Sequence, residues 1–268
     1  MKRVALGALL AGLALVCPGA SAEARSVQET TAAPSGYLAH QTVTALATAV
    51  PAPPTPGSAA DVADRTASAR LTALEDTDRW LLATRHAELR PALALSHFDC
   101  ALGFRIEAAE APRLLSILTR VLHDANEAAE LAKARAMRAR PVGDDPERHS
   151  CQVVTAAQRA TPSHPSGSAS VGAAYGEVMA ALVPDRSEEV RETGRQIAIS
   201  RMVCGMHYPS DVTDGAALGG AVAQAIMATP AFEADAAAAR AEVTVARAAA
   251  RTSPACAAER AALAVALP

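Results

Sequence analysis

Lysine is nearly missing from this chain: only Lys2 and Lys133 occur, and every other strong base is arginine. A lone lysine so far from the N-terminus supports a motif wherever neighbouring residues define one. There is no basic surplus either, since 25 Lys and Arg stand against 28 Asp and Glu, a formal charge of −3. That balance argues against nucleic acid as a partner and against stable membrane association through anionic lipid. No apolar run approaches the roughly 20 residues that a membrane-spanning helix needs. Alternation of apolar and polar residues is rare, which argues against a sheet-based fold. HExxH, a CxxC pair, a P-loop and a G-x-S-x-G elbow are all absent, and the chemistries they carry fall away with them.

The first segment reads Met1-Lys2-Arg3, then an apolar run from Val4 to Val16, then Ala20-Ser21-Ala22. A basic start, a short apolar core and an A-x-A site predict a secretory signal cleaved after Ala22, and so a periplasmic or secreted protein. Cys17 raises a lipoprotein alternative, which Val16 in front of it disfavours. Loss of Lys2 and Arg3 takes the formal charge to −5 and leaves four cysteines, Cys100, Cys151, Cys204 and Cys256. An even number in an exported chain suggests disulfides in one of three pairings, with free buried thiols as the plain alternative.

The expected organisation is a signal peptide over 1–22, an extended proline-rich strap over 23–60, a helical domain over 61–250 and a tail over 251–268. Pro51, Pro53, Pro54 and Pro56 favour polyproline-like backbone in the strap. Beyond Asp61 the apolar period is helical. Pro112 suits a first turn, and Leu114, Ile117, Leu118, Val121, Leu122 and Ala125 recur at i, i+3, i+4. That helix is expected to run to Arg140 and stop at Pro141. A long loop with Cys151 follows, then helices near 168–183, 186–203, 210–228 and 231–250, and a tail that is a short helix or a frayed end. The fold class is therefore all-α, one bundle-like domain.

Three segments carry chemistry. Lys133 and Arg140 lie seven apart, two helical turns, and would share a face as an anion clamp; with Arg135 and Arg138 nearby, the plain reading is a solvated basic face. Pro165-Ser166-Gly167-Ser168 precedes an apolar run, so Ser166 and Ser168 read as ordinary caps. The same geometry aims free N–H groups at whatever lies in front, which suits phosphate. The third segment runs from Ser200-Arg201 to His207 and Asp211. Arg201 can fork onto phosphate oxygens, His207 can offer a ring nitrogen, and Asp211 can fix that ring's tautomer from behind. A core histidine beside a capping aspartate is the plain reading there. His86, His97 and His123 read as satisfied core or surface residues.

Taken together, Lys133-x6-Arg140-Pro141, Pro165-Ser166-Gly167 and Ser200-Arg201-x5-His207-x3-Asp211 resemble the three-part signature of the type-2 phosphatidic acid phosphatase superfamily. Tyr37-Leu38, the proline run before Gly57-Ser58, His123-Asp124-Ala125, Cys204-Gly205-Met206-His207-Tyr208 and Thr229-Pro230-Ala231-Phe232 extend the resemblance to bacterial class A non-specific acid phosphatases. The resemblance implies an exported, all-helical phosphomonoesterase with no metal and no cofactor. Its partners would be small phosphorylated substrates and inorganic phosphate. It also implies site roles: Lys133, Arg140, Arg201, Ser166 and the Gly167 N–H hold the phosphoryl oxygens, His207 attacks phosphorus, and Asp211 holds its other nitrogen.

One position departs from the family. Its second segment normally ends in a histidine that protonates the leaving oxygen, and here that residue is Ser168. Loss of a general acid lowers rates by about 10²–10⁴, most for alkyl phosphates. His164 is the first candidate for a surrogate acid and His149 the second. The alternative function is a catalytically impaired phosphate-binding protein. Vanadate-dependent haloperoxidation is disfavoured by the flanking resemblance, and a membrane lipid phosphatase by the lack of a span. Cys151 with Cys204 is the preferred disulfide, which leaves Cys100 with Cys256. Subunit number is left open, a homo-oligomer included.

Overall fold

Alanine-rich segments with apolar residues at helical spacing bury one stripe each, and packing the stripes together makes a helical bundle. The computed structural model describes residues 35–268, and the signal peptide predicted over 1–22 lies outside the described residues. Helices occur throughout that range, and no strand is found among the described residues. The first half holds α1 (His40–Ala49), α2 (Ala59–Arg70), α3 (Asp78–His86), two short turns α4 (Pro91–Ala94) and α5 (Asp99–Leu102), and α6 (Pro112–Lys133). The second half holds short α7 (Pro141–Asp144) and α8 (Ala156–Arg159), then α9 (Gly167–Leu182), α10 (Ser187–Val203), α11 (Pro209–Met227), α12 (Pro230–Ala249) and α13 (Cys256–Leu263). Among the described residues no single helix is long and apolar enough to cross a membrane.

The starts obey local chemistry. Proline opens α6, α11 and α12, where its missing N–H has no helical partner to lose. The side chains of Ser58, Thr77, Ser166 and Thr229 accept first-turn N–H groups of α2, α3, α9 and α12.

Two expectations are corrected. The strap contains a helix, α1, because Val43 and Ala47 bury a face against the core; residues 51–56 remain non-helical. The helix expected to reach Arg140 ends at Lys133. Arg135 and Arg138 pull the backbone out of helical register: Arg135 donates to the carbonyls of Ala47 and Val50, and Arg138 turns inward to three aspartates. Arg140 itself is extended, as a residue before proline must be.

The core centres on α9, whose Val171, Ala174, Tyr175, Val178 and Met179 are buried among residues of α6, α10 and α11. Approach to these neighbours is nearly backbone to backbone. A Cβ on Gly194 of α10 would lie 2.6 Å from the Gly172 carbonyl oxygen, and one on Gly219 of α11 would lie 2.0 Å from that of Ser170. Disulfides join Cys151 to Cys204 and Cys100 to Cys256, with Cα separations of 4.7 Å and 5.4 Å. The second of these ties the C-terminal α13 to α5.

Because backbone cannot yield as a flexible side chain can, Gly219→Ala is expected to lower stability by about 1–3 kcal/mol. Thermal unfolding checks this, and an unchanged midpoint would show that α9 and α11 are free to separate.

Candidate active site

The ends of four helices meet at the N-terminus of α9. α6 delivers Lys133 in its last turn, and α10 delivers Arg201 in its own. α10 then stops because Gly205 takes a left-handed conformation (φ +68°), which lets its N–H reach the Met202 carbonyl at 3.0 Å. The reversal swings His207 back beside Arg201 before Pro209 opens α11. Arg140 reaches the same point from the loop after α6. Together these residues line a cavity of about 210 Å³ with Gly167, Ser168, Asn126, Gln152, Gln158, Thr161 and Met206.

His207 is buried and both ring nitrogens are engaged. Nδ1 lies 2.8 Å from the Ser163 carbonyl oxygen, which can only accept, so Nδ1 carries the proton. Nε2 lies 2.9 Å from an Arg140 guanidinium nitrogen, which can only donate, so Nε2 presents its lone pair. Burial holds the imidazole well below the usual histidine range, and the charges of Arg140, Arg201 and Lys133 push the same way. The ring is thus a neutral base fixed in one tautomer.

The expectation that Asp211 fixes this tautomer is corrected. Its nearer oxygen stands 3.9 Å from Nδ1, beyond hydrogen-bond reach. One Asp211 oxygen accepts the Tyr208 N–H at 2.8 Å, holding the start of α11, and the other accepts from Arg138 at 2.8 Å. Arg138 also donates to Asp64 at 2.8 Å, Asp61 at 3.1 Å and the Ser210 hydroxyl at 2.7 Å, with its guanidinium 4.3 Å above the Tyr208 ring. The residue read as part of a solvated face is therefore buried, and it positions Asp211.

The three cations are held differently. Lys133 pairs with Glu130 at 2.5 Å, and burial pushes its ammonium pKa down. Arg140 donates to Thr161 at 3.0 Å and to the Met206 carbonyl at 3.1 Å. Arg201 donates to Gln152 at 2.9 Å, while its buried Nε has no partner. Burial lowers Arg201 to about 10, which leaves it charged at neutral and acidic pH. At the helix end, the first-turn N–H groups of Gly167 and Ser168 have no intrahelical acceptor. A cradle of cations and free N–H groups around a neutral imidazole can bind an anion and offer it a nucleophile.

Other expected residues lie elsewhere. The Ser166 hydroxyl accepts from the Ala169 N–H at 3.2 Å, capping α9, and does not line the cavity. His164 is buried outside the cavity, with Nε2 at 2.8 Å from Asp214. His149 pairs with Glu75 beside a different cavity. Among the described residues, His207 is thus the sole imidazole lining this one. Cys151 and Cys204 brace the site, fastening the loop that carries Gln152 to the end of α10. Asn126 escaped the sequence reading although its spacing, seven residues before Lys133 on α6, marks the same face. The Ser163 carbonyl has no residue-type signal at all.

In ¹⁵N NMR of the phosphate-free protein at about pH 5.5, a unit below the ordinary histidine value, His207 is expected as the neutral Nδ1–H tautomer. An imidazolium signal there would contradict the assignment.

Comparison with known proteins places the chain in a family. The family profile described as the PAP2 superfamily matches residues 114–234, from α6 into α12. A protein of Zymomonas mobilis subsp. mobilis named acid phosphatase is 30% identical over 200 residues, 75% of this chain and 76% of that one. A non-specific acid phosphatase of Providencia stuartii is 26% identical over 194 residues, covering 69% of this chain and 75% of that one. Among solved structures, the transmembrane PAP2-type phosphatidylglycerolphosphate phosphatase from Bacillus subtilis aligns with a TM-score of 0.47 at 17% identity, over 70% of this chain and 91% of that one. With the acid phosphatase match spanning three quarters of both sequences, the chain belongs to the PAP2 superfamily, in its acid phosphatase class.

Proposed function

We propose that this protein is an exported phosphatase that hydrolyses small organic phosphomonoesters through a phosphohistidine on His207. The observation that carries this reading is the His207 Nε2 lone pair, held by Arg140 inside a cavity that Lys133 and Arg201 also face. In the first step Nε2 attacks phosphorus as the ester oxygen leaves with its bonding pair. Lys133, Arg140, Arg201 and the N–H groups of Gly167 and Ser168 hold the equatorial oxygens, the main stabilising effect in phosphoryl transfer. Nδ1 keeps its proton throughout, and the Ser163 carbonyl supports the positive charge that the ring acquires on phosphorylation. Asp211 acts at one remove, positioning the start of α11. In the second step water attacks the phosphohistidine and restores the neutral imidazole. No metal enters either step.

The leaving group receives its proton from solvent or through the Ser168 hydroxyl, since among the described residues no second imidazole lines the cavity. A hydroxyl is a weak acid near neutral pH, so turnover should fall steeply as the leaving group becomes more basic. The two disulfides suit an oxidising compartment, which supports export.

A second reading, a phosphate-binding protein without turnover, is favoured by the same serine. Assay of the mature protein without added metal separates the two. Hydrolysis of an aryl phosphate that is lost in His207→Ala is the expected result. Phosphate binding with no turnover of any aryl ester would give the second reading instead. Ser168→His should raise alkyl phosphate turnover by about 10²-fold, with a smaller gain on aryl esters. Equal gains on both would show that proton donation is not what the serine lacks.

A further inference from the structure

His164 is a buried titratable side chain that the reaction leaves unused. Its ring has a single hydrogen bond among the described residues: Nε2 lies 2.8 Å from Asp214 Oδ2, while the buried Nδ1 has no partner. A carboxylate oxygen can only accept, so Nε2 carries the proton. An apolar side chain would fill the same space with no polar group to satisfy. What the imidazole adds is direction. A short hydrogen bond to an acceptor on a rigid helix determines where the ring, and the backbone bearing it, must lie.

That backbone is the one His207 leans on. Ser163, the preceding residue, supplies the carbonyl oxygen 2.8 Å from His207 Nδ1. Tyr208 and Arg138 take the two oxygens of Asp211, so this carbonyl is the only acceptor Nδ1 has among the described residues. The segment 163–166 is held from two sides. On one, the Ser163 N–H donates to the Arg138 carbonyl at 2.8 Å and its hydroxyl to the Ala139 carbonyl at 3.1 Å. On the other, the Ser166 N–H donates to the Asp211 carbonyl at 2.9 Å, and a Cβ on Gly215 of α11 would lie 2.3 Å from the Ser166 carbonyl oxygen. Asp214 stands three residues beyond Asp211 on α11, hence on the same face, and meets His164 there. Among the described residues, this is the one side-chain hydrogen bond that ties 163–166 to α11. Since His207 enters α11 just ahead of Pro209, ring and acceptor take their positions from the same helix.

We propose, resting on the phosphohistidine reading of His207, that His164 and Asp214 are a positioning pair: they hold the Ser163 carbonyl where it receives the His207 Nδ1–H, and so aim Nε2 into the cavity. Neither residue lines the cavity, so phosphate affinity stays with Lys133, Arg140 and Arg201. The pair acts on the ring through one carbonyl, which is how the bond at one imidazole nitrogen sets what the other can do.

The test compares the full mature chain with Asp214→Ala and Asp214→Asn, by NMR of the His207 Nδ1–H, by inorganic phosphate titration and by aryl phosphate kinetics. In Asp214→Ala the Nδ1–H resonance should move upfield and exchange with solvent at least about tenfold faster, as a hydrogen bond loosened by local opening does. kcat should fall by about tenfold, with KM and phosphate affinity within about twofold, because the nucleophile is misaimed while the cradle is intact. Asp214→Asn keeps an acceptor oxygen in place and should recover most of both losses. The NMR and phosphate readings need no turnover, so they decide the pair's role even where the phosphatase reading itself fails. A wild-type Nδ1–H signal in Asp214→Ala would overturn the proposal, whatever its melting temperature. So would a loss confined to KM, or an Asp214→Asn protein no better than Asp214→Ala.

Discussion

Three buried cations facing one small cavity are the constraint on which most of this structure depends. Burying an unpaired charge costs several kcal/mol, and among the described residues only Glu130 forms an ion pair with any of the three. The field that results has two consequences. It adds to the burial that keeps His207 neutral, because an imidazolium there would be a fourth positive charge. It also makes an anion the natural occupant: on the proposed function, a dianionic phosphoryl group would relieve the repulsion among the three cations. On the proposed function, substrate affinity and nucleophile readiness share this electrostatic origin.

The rest of the fold keeps that charge pattern in place. Arg138 would add to the repulsion if it faced the cavity; Asp61, Asp64 and Asp211 hold it away and neutralise it. Arg65 holds the Asp61 carboxyl down at about 2, so that carboxylate stays ionised in acidic solution. The network also joins α2 to the start of α11, which sets where the chain turns at His207. On the other side, the Cys151–Cys204 bridge fastens the loop bearing Gln152, Gln158 and Thr161, so the polar wall opposite α9 keeps its position. Close glycine contacts fix α9 against α10 and α11, bringing the helix N-terminus to the cations within tight limits.

How much of this could be read in the sequence depended on the kind of signal. The helices around α9 followed from apolar period and proline starts, and α9, α10, α11 and α12 begin and end within a residue or so of their expected bounds. Lys133, Arg140, Arg201 and His207 stood out because residue type and spacing both marked them, and they share one cavity. What was hidden depended on backbone atoms or on competition between partners. The acceptor for His207 is a main-chain carbonyl, Ser163, invisible as a residue type. Asp211 sits at the right spacing for the imidazole, yet Tyr208 and Arg138 take both of its oxygens. The early end of α6 is a tertiary effect, caused by arginines whose partners lie far away in sequence. Asn126 was legible in principle, since its seven-residue spacing from Lys133 is the rule that tied Lys133 to Arg140.

The central claim is that His207 Nε2 becomes bonded to phosphorus during turnover. Mixing the enzyme with an aryl phosphate, quenching in alkali during the first turnovers and mapping the phosphoryl group by peptide mass spectrometry tests it most directly. The account predicts a phosphoryl group on Nε2 of His207, absent from the inactive His207→Ala protein. Turnover with no phosphorylated peptide, or with the phosphoryl group on Ser166 or Ser168, would contradict it.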